Sequence, residues 1–150
     1  MSANNTHAFS QEISCLIFYR YATITAGNNL SHAPGRNSRK KLVSLSFLLT
    51  TDASPSDRYV HIICEKAGID YHIGGVPIPQ AASQARRFYF SPFEYPSFIT
   101  STNNFHAPIP NEFIFFYADT LETDIVGLQA GDQLTDITII FAEQPTGRLA

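Results

Sequence analysis

The sequence predicts an all-β fold: a single-domain antiparallel β-sandwich, jelly-roll-like, of about seven or eight strands. Three observations predict it. Segments rich in β-branched and aromatic side chains recur along the chain. Clusters of Pro, Gly, Asn and Ser separate them at the spacing of sandwich turns. No long stretch has the spacing of an amphipathic helix.

The elements follow in chain order. Residues 1–11 are polar and read as a flexible arm, without the basic and apolar regions of a signal peptide. The sandwich occupies 12–144, and 145–150 form a tail. Ile13 to Thr25 is a strand carrying Phe18, Tyr19 and Tyr21 around one charge, Arg20. Residues 42–50 alternate, with Val43, Leu45, Phe47 and Leu49 on one side and Ser44, Ser46 and Thr50 on the other. Tyr59–Cys64 and Ile69–Ile73 form a hairpin through a loop at Glu65 to Gly68. In that register Cys64 faces Ile69, Ile62 faces Tyr71, Val60 faces Ile73, and His61 lies across from His72. Gly74 to Pro79 excludes helix and marks a corner or crossing between sheets. Gln80 to Arg87 is the one modest helix candidate, a connector of one or two turns. Arg86 to Phe90, Phe113 to Ala118 and Leu134 to Ala142 complete the strands; in the last, Ile137, Ile139 and Phe141 oppose Asp136 and Thr138.

Composition bounds the function. The chain has 150 residues, 44% hydrophobic and 15% charged, which suits one packed domain and excludes disorder. Two cysteines are too few for a disulfide scaffold or a cysteine zinc site, and Cys15 and Cys64 read as buried reduced thiols. No apolar run approaches the roughly 20 residues of a membrane span, so no membrane partner is expected. Residues 1–87 hold nine bases and five acids (9 − 5 = +4), and 88–150 one base and eight acids (1 − 8 = −7). Basic and acidic regions at different ends of the fold would let copies meet head to tail.

No motif states a catalytic chemistry. His61, His72 and Asp70 form the sharpest cluster, yet no further ligand is identifiable to complete a zinc set, and a solvent-facing or interface pair is the simpler reading. There is no nucleophile elbow, glycine-rich phosphate loop or calcium-loop pattern. The pairs Glu122 with Asp124 and Asp132 with Asp136 read as a solvated face. No cofactor, metal or enzyme activity is therefore expected. Arg36, Arg39, Lys40 and Lys41 form a basic patch before the strand at 42. With the whole chain at −3 and no flanking stacking platform, nucleic-acid contact is disfavoured and a solvated loop preferred.

Ser91 to Asn111 holds four prolines and several aromatics in about twenty residues, long for a connection in a compact domain. Phe93, Tyr95, Phe98, Phe105 and His106 are its candidate interface or ligand contacts. The polar arm, few lysines and long aromatic loop resemble viral coat proteins as a broad class. The expected function is a non-enzymatic structural protein: a virion coat, penton or decoration component partnered by itself and other structural subunits. Its expected location is the virion, or otherwise the cytoplasm. The alternative is a carbohydrate-binding or adhesive β-sandwich module using Phe93, Tyr95 or His106, with calcium near Asp132.

Overall fold

The structure is a computed structural model describing residues 15–35, 38–92, 99–101, 103–111 and 113–145. Eleven strands occur among the described residues: β1 (Cys15–Thr23), β2 (Ser31–His32), β3 (Ser38–Thr50), β4 (Tyr59–Lys66), β5 (Ile69–Gly75), β6 (Ala85–Ser91), β7 (Ile99–Ser101), β8 (Asn104–Pro108), β9 (Ile114–Phe115), β10 (Thr120–Val126) and β11 (Gln133–Pro145). No helix among these residues is long and apolar enough to cross a membrane. The predicted arm, 1–11, lies outside the described residues, as does the tail beyond Pro145.

The strands form an all-β sandwich. One sheet has seven strands in the order β1-β11-β3-β6-β8-β7, with β9 also paired to β3; the other has four, β2-β10-β4-β5. Every pairing is antiparallel except β6 with β8. Without β7 to β9, the remaining strands take the order first, eighth, third, sixth in one sheet and second, seventh, fourth, fifth in the other. Consecutive strands thus change sheet repeatedly, and each sheet supplies one wall of a shared core.

Alternation explains that core. Leu42, Leu45, Phe47 and Leu49 from β3 meet Ile137, Ile139 and Phe141 from β11 and Val60, Ile62 and Cys64 from β4, all almost fully buried. Phe47 and Phe105 each stack on Phe88, with centroids 5.4 Å and 5.1 Å away. Two β-bulges adjust the central ladder. The β11–β3 register shifts between Thr135 and Thr138, and again between Ile140 and Phe141. The first adds a residue to β11 at Asp136, in the left-handed region (φ 49°); the second adds Val43 to β3, which cancels the first. Val43, expected to face the core, is therefore only half-buried, and Leu42 takes the inward place.

Other expectations need correction. The β4–β5 hairpin forms, but Cys64 pairs with Tyr71 and Lys66 with Ile69, a two-residue slip from the expected register. Ala67 and Gly68 both have positive φ (52° and 79°), so a tight two-residue turn replaces the four-residue loop. An even slip preserves the faces: Val60, Ile62, Cys64 and Ile73 remain buried. The helix expected at Gln80 to Arg87 is absent. Gln80 bridges Arg58, a turn follows at Ala82 and Ser83, and β6 starts at Ala85. Of Phe113 to Ala118, only Ile114 and Phe115 are strand. Both cysteines are free, but Cys15 is exposed and only Cys64 is buried.

At one end of the sandwich an ion pair replaces apolar packing. Arg58 is fully buried; its Nε and one terminal nitrogen donate to the two oxygens of Asp132, each at 2.8 Å, and it reaches Asp52 at 2.7 Å. Asp132 also accepts from the backbone N–H groups of Asp52 and Gln129, both at 2.8 Å. Burial opposes its ionisation, yet the Arg58 bonds, these N–H groups and the Arg58 charge together hold the carboxyl below its ordinary range. Both Asp132 oxygens are thereby committed, which removes the calcium role considered for it.

Candidate assembly interface

β1 reads CLIFYRYAT, apolar or aromatic on both faces. Its inward face fastens it to the sandwich. The Tyr19 ring lies 4.3 Å from His32, and its hydroxyl donates to the Pro34 carbonyl at 3.3 Å. The Tyr21 hydroxyl is 2.6 Å from His32 Nδ1, and His32 stacks on Phe141. Burial, with the charge of Glu143, pushes the Tyr19 hydroxyl up; burial, with the charge of Lys40, pushes the His32 imidazole down.

The outward face is open. Leu16 and Phe18 are 57% and 60% exposed. Arg20 beyond them pairs with Asp136 at 3.3 Å, and Asp136 also accepts from Arg87 at 2.6 Å. The β11 bulge aims this carboxylate between the two guanidinium groups, and they hold it below the ordinary carboxylate range, Arg87 more strongly than Arg20.

β1 is also an edge. Among the described residues only β11 pairs with it. The Ile24 N–H donates to the Leu134 carbonyl at 3.1 Å, one residue beyond the strand. Antiparallel bonding alternates, so Ile17, Tyr19 and Tyr21 turn their N–H and C=O groups towards the open side. The other edges are guarded. β2 and β7 have two and three residues, and β5 carries Asp70, His72 and an irregularity opposite Ile62 and Ile63. Nine residues long, unbroken in register and bearing one charge, β1 has none of these protections.

The outer faces differ in sign. Registered rows cross the seven-stranded sheet: Leu16, Ala142, Lys41 and Ile114 form one, and Arg20, Thr138, Ser46, Tyr89 and His106 another. Arg39, opposite Gln144, and Arg87, opposite Leu48, share this face. On the four-stranded sheet the outward rows are Thr120, Glu65 and Asp70, then Ser31, Glu122, Ile63 and His72, then Asp124 and His61. The first face is basic and the second acidic.

The residues expected to form a site divide accordingly. Phe93, Tyr95 and Phe98 lie outside the described residues. Phe105 is no surface contact: β8 runs parallel to β6 and buries it against Phe88, with the Arg86 guanidinium 5.0 Å from its ring. His106 sits half-buried on the outer face, stacked on Tyr89 at 4.7 Å. The basic patch is not continuous. Arg36 is outside the described residues, Arg39 and Lys41 take outward positions, Arg39 with its Nε and one terminal nitrogen buried, and Lys40 is buried with its Nζ 3.5 Å from Glu143. The cause is strand alternation, since β3 begins at Ser38 and turns successive residues to opposite faces. His61 and His72 do meet, edge to face at 5.7 Å, although the bulged register sets Ile63 opposite His72. Among the described residues no group of three or more His, Cys, Asp or Glu could hold a metal ion.

The free edge of β1 was missed in the sequence although a signal exists: Leu16 and Phe18 alternate with Ile17 and Tyr19, leaving no polar face. Comparison with protein-family models, curated proteins and solved structures finds no match for this chain.

Proposed function

We propose that the protein is a non-enzymatic structural subunit that self-associates, a shell or coat component of the virion type. The observation that carries this reading is β1, a nine-residue strand whose outer backbone edge no described residue covers, with two large apolar side chains beside it. A folded chain that works alone blunts such an edge; one that assembles keeps it to pair with another strand. The strand order, once β7 to β9 are set aside, supports a jelly-roll winding, an architecture used by capsid proteins among others.

The test is sedimentation velocity over a rising concentration series, with Phe18→Glu alongside the parent chain. Covering the exposed part of Phe18 stabilises a contact by about 1–2 kcal/mol, so the variant should need roughly tenfold or more protein to associate. Phe18 points outward, and the variant should fold normally. A parent chain that stays monomeric at all concentrations overturns the reading.

A further inference from the structure

We propose that the two outer faces of the sandwich are the two halves of one heterologous contact, the acidic face of one copy seating on the basic face of the next. The inference rests on the assembly reading above and specifies a surface that reading leaves open.

The described charges on the two sheet faces sort by sign. Arg20, Lys41 and Arg87 face outward from the seven-stranded sheet with Asp136 as the one acid among the described residues of that face, giving 3 − 1 = +2; Arg39 shares the outer row but has its Nε and one terminal nitrogen buried. Glu65, Asp70, Glu122 and Asp124 face outward from the four-stranded sheet with no lysine or arginine among them, giving −4. The other described bases are taken up elsewhere. Lys40 is buried with Glu143, Arg58 with Asp132, and Lys66 turns inward to Asp119 and the Ile114 carbonyl. Arg86 lies over the Phe105 ring. The acidic face carries one sign only, and the one described acid of the basic face is held between two arginines.

The occupant follows from that sorting. Two copies repel with like faces together and attract with unlike faces together, so the chain itself supplies the complement of each surface. Apolar side chains are available on both sides: Leu16 and Phe18 on the basic face, Tyr59 and Val126 on the acidic one, all exposed. A contact between different faces of identical chains propagates, closing into a ring or extending. Because the charges lie on the two outer faces, salt should weaken it.

The experiment is a charge-swap complementation by light scattering and sedimentation velocity. Variant one carries Arg20→Glu and Lys41→Glu, which turns the basic face net negative. Variant two carries Glu65→Lys, Glu122→Lys and Asp124→Lys, which turns the acidic face net positive. Circular dichroism confirms folding, and milder Arg20→Gln with Glu122→Gln versions serve if either full variant fails to fold. Each variant alone should lose the salt-sensitive association, by about tenfold or more, and an equimolar mixture should restore it. If the parent chain associates equally at low and high salt, or the mixture fails to restore what the variants lost, the face contact is overturned while assembly through β1 stands. A parent chain monomeric throughout overturns both.

Discussion

Cutting the Arg58–Asp132 pair at one side should destabilise the fold far more than removing both partners together. Asp132→Ala removes the acceptor of four hydrogen bonds, two from Arg58 and one each from the backbone N–H groups of Asp52 and Gln129. Arg58 stays buried with Asp52 and the carbonyls of Ser54 and Ser56. Removing one partner of a buried ion pair costs about 3–5 kcal/mol, and the remaining Asp52 contact keeps the loss towards the lower end. At about 2–4 °C per kcal/mol for a chain of this length, Tm falls by roughly 6–20 °C. Arg58→Met should cost a similar amount by stranding Asp132. The double variant, Arg58→Met with Asp132→Leu, removes both buried charges and should cost less than either single, falling short of their sum by more than about 3 kcal/mol. Urea unfolding followed by circular dichroism reads all three. The carboxyl is depressed in the folded state, so its stabilisation is present above the unfolded value of about 3.9 and is lost as pH falls through the lower folded value. A cost for Asp132→Ala below about 1 kcal/mol, or simple addition in the double variant, would refute the reasoning.

Three further outcomes are expected. His32 is held neutral by burial and by Lys40, with Tyr19, Tyr21 and Phe141 around its ring, so the unfolded chain binds its proton more readily. Stability should therefore drop as pH falls below about 6.5, and His32→Phe should flatten that slope in urea titrations between about pH 7 and pH 5. Phe105→Ala should cost about 3–5 kcal/mol as a core truncation; a variant as stable as the parent, impaired only in association, would reinstate the surface role. Burial pushes the Cys64 thiol up to about 12, so a thiol reagent should modify Cys15 at once in the native protein and Cys64 only after unfolding.

What was legible in the sequence was whatever strand alternation carries. The buried faces of β4 and β11 follow from period-two text, and Gly74 to Pro79 does mark the crossing from one sheet to the other. Properties decided by neighbours were not legible. The bulges at Asp136 and Val43 cancel each other across two strands remote in sequence, so neither strand alone predicts them. The hairpin slipped by two residues because Ala67 accepts a positive φ that its identity does not advertise. Lys40 read as one of a basic run until alternation set it beside Glu143, its partner across the ladder. Phe105 read as a loop aromatic because its burial comes from a parallel pairing with β6, which local spacing does not encode. β1 was recognisable as a strand, but being an edge is a property of the sheet.

The two proposed contacts differ in symmetry and in physics, and together they account for growth beyond a dimer. Pairing of β1 with a second β1 would be isologous and close on itself, because each copy offers one such edge among its described strands. Contact between the basic and acidic faces leaves a free face at each end and continues. One closing and one propagating contact per chain extend an assembly in two directions, as a shell requires. Strand pairing rests on backbone hydrogen bonds and apolar burial at Leu16 and Phe18, which salt does not weaken. The face contact is electrostatic, and the screening length shrinks from about 10 Å at 0.1 M salt to about 3 Å at 1 M. Raising salt should therefore take large assemblies apart into β1-paired dimers rather than monomers, and Phe18→Glu should carry the same high-salt sample on to single chains.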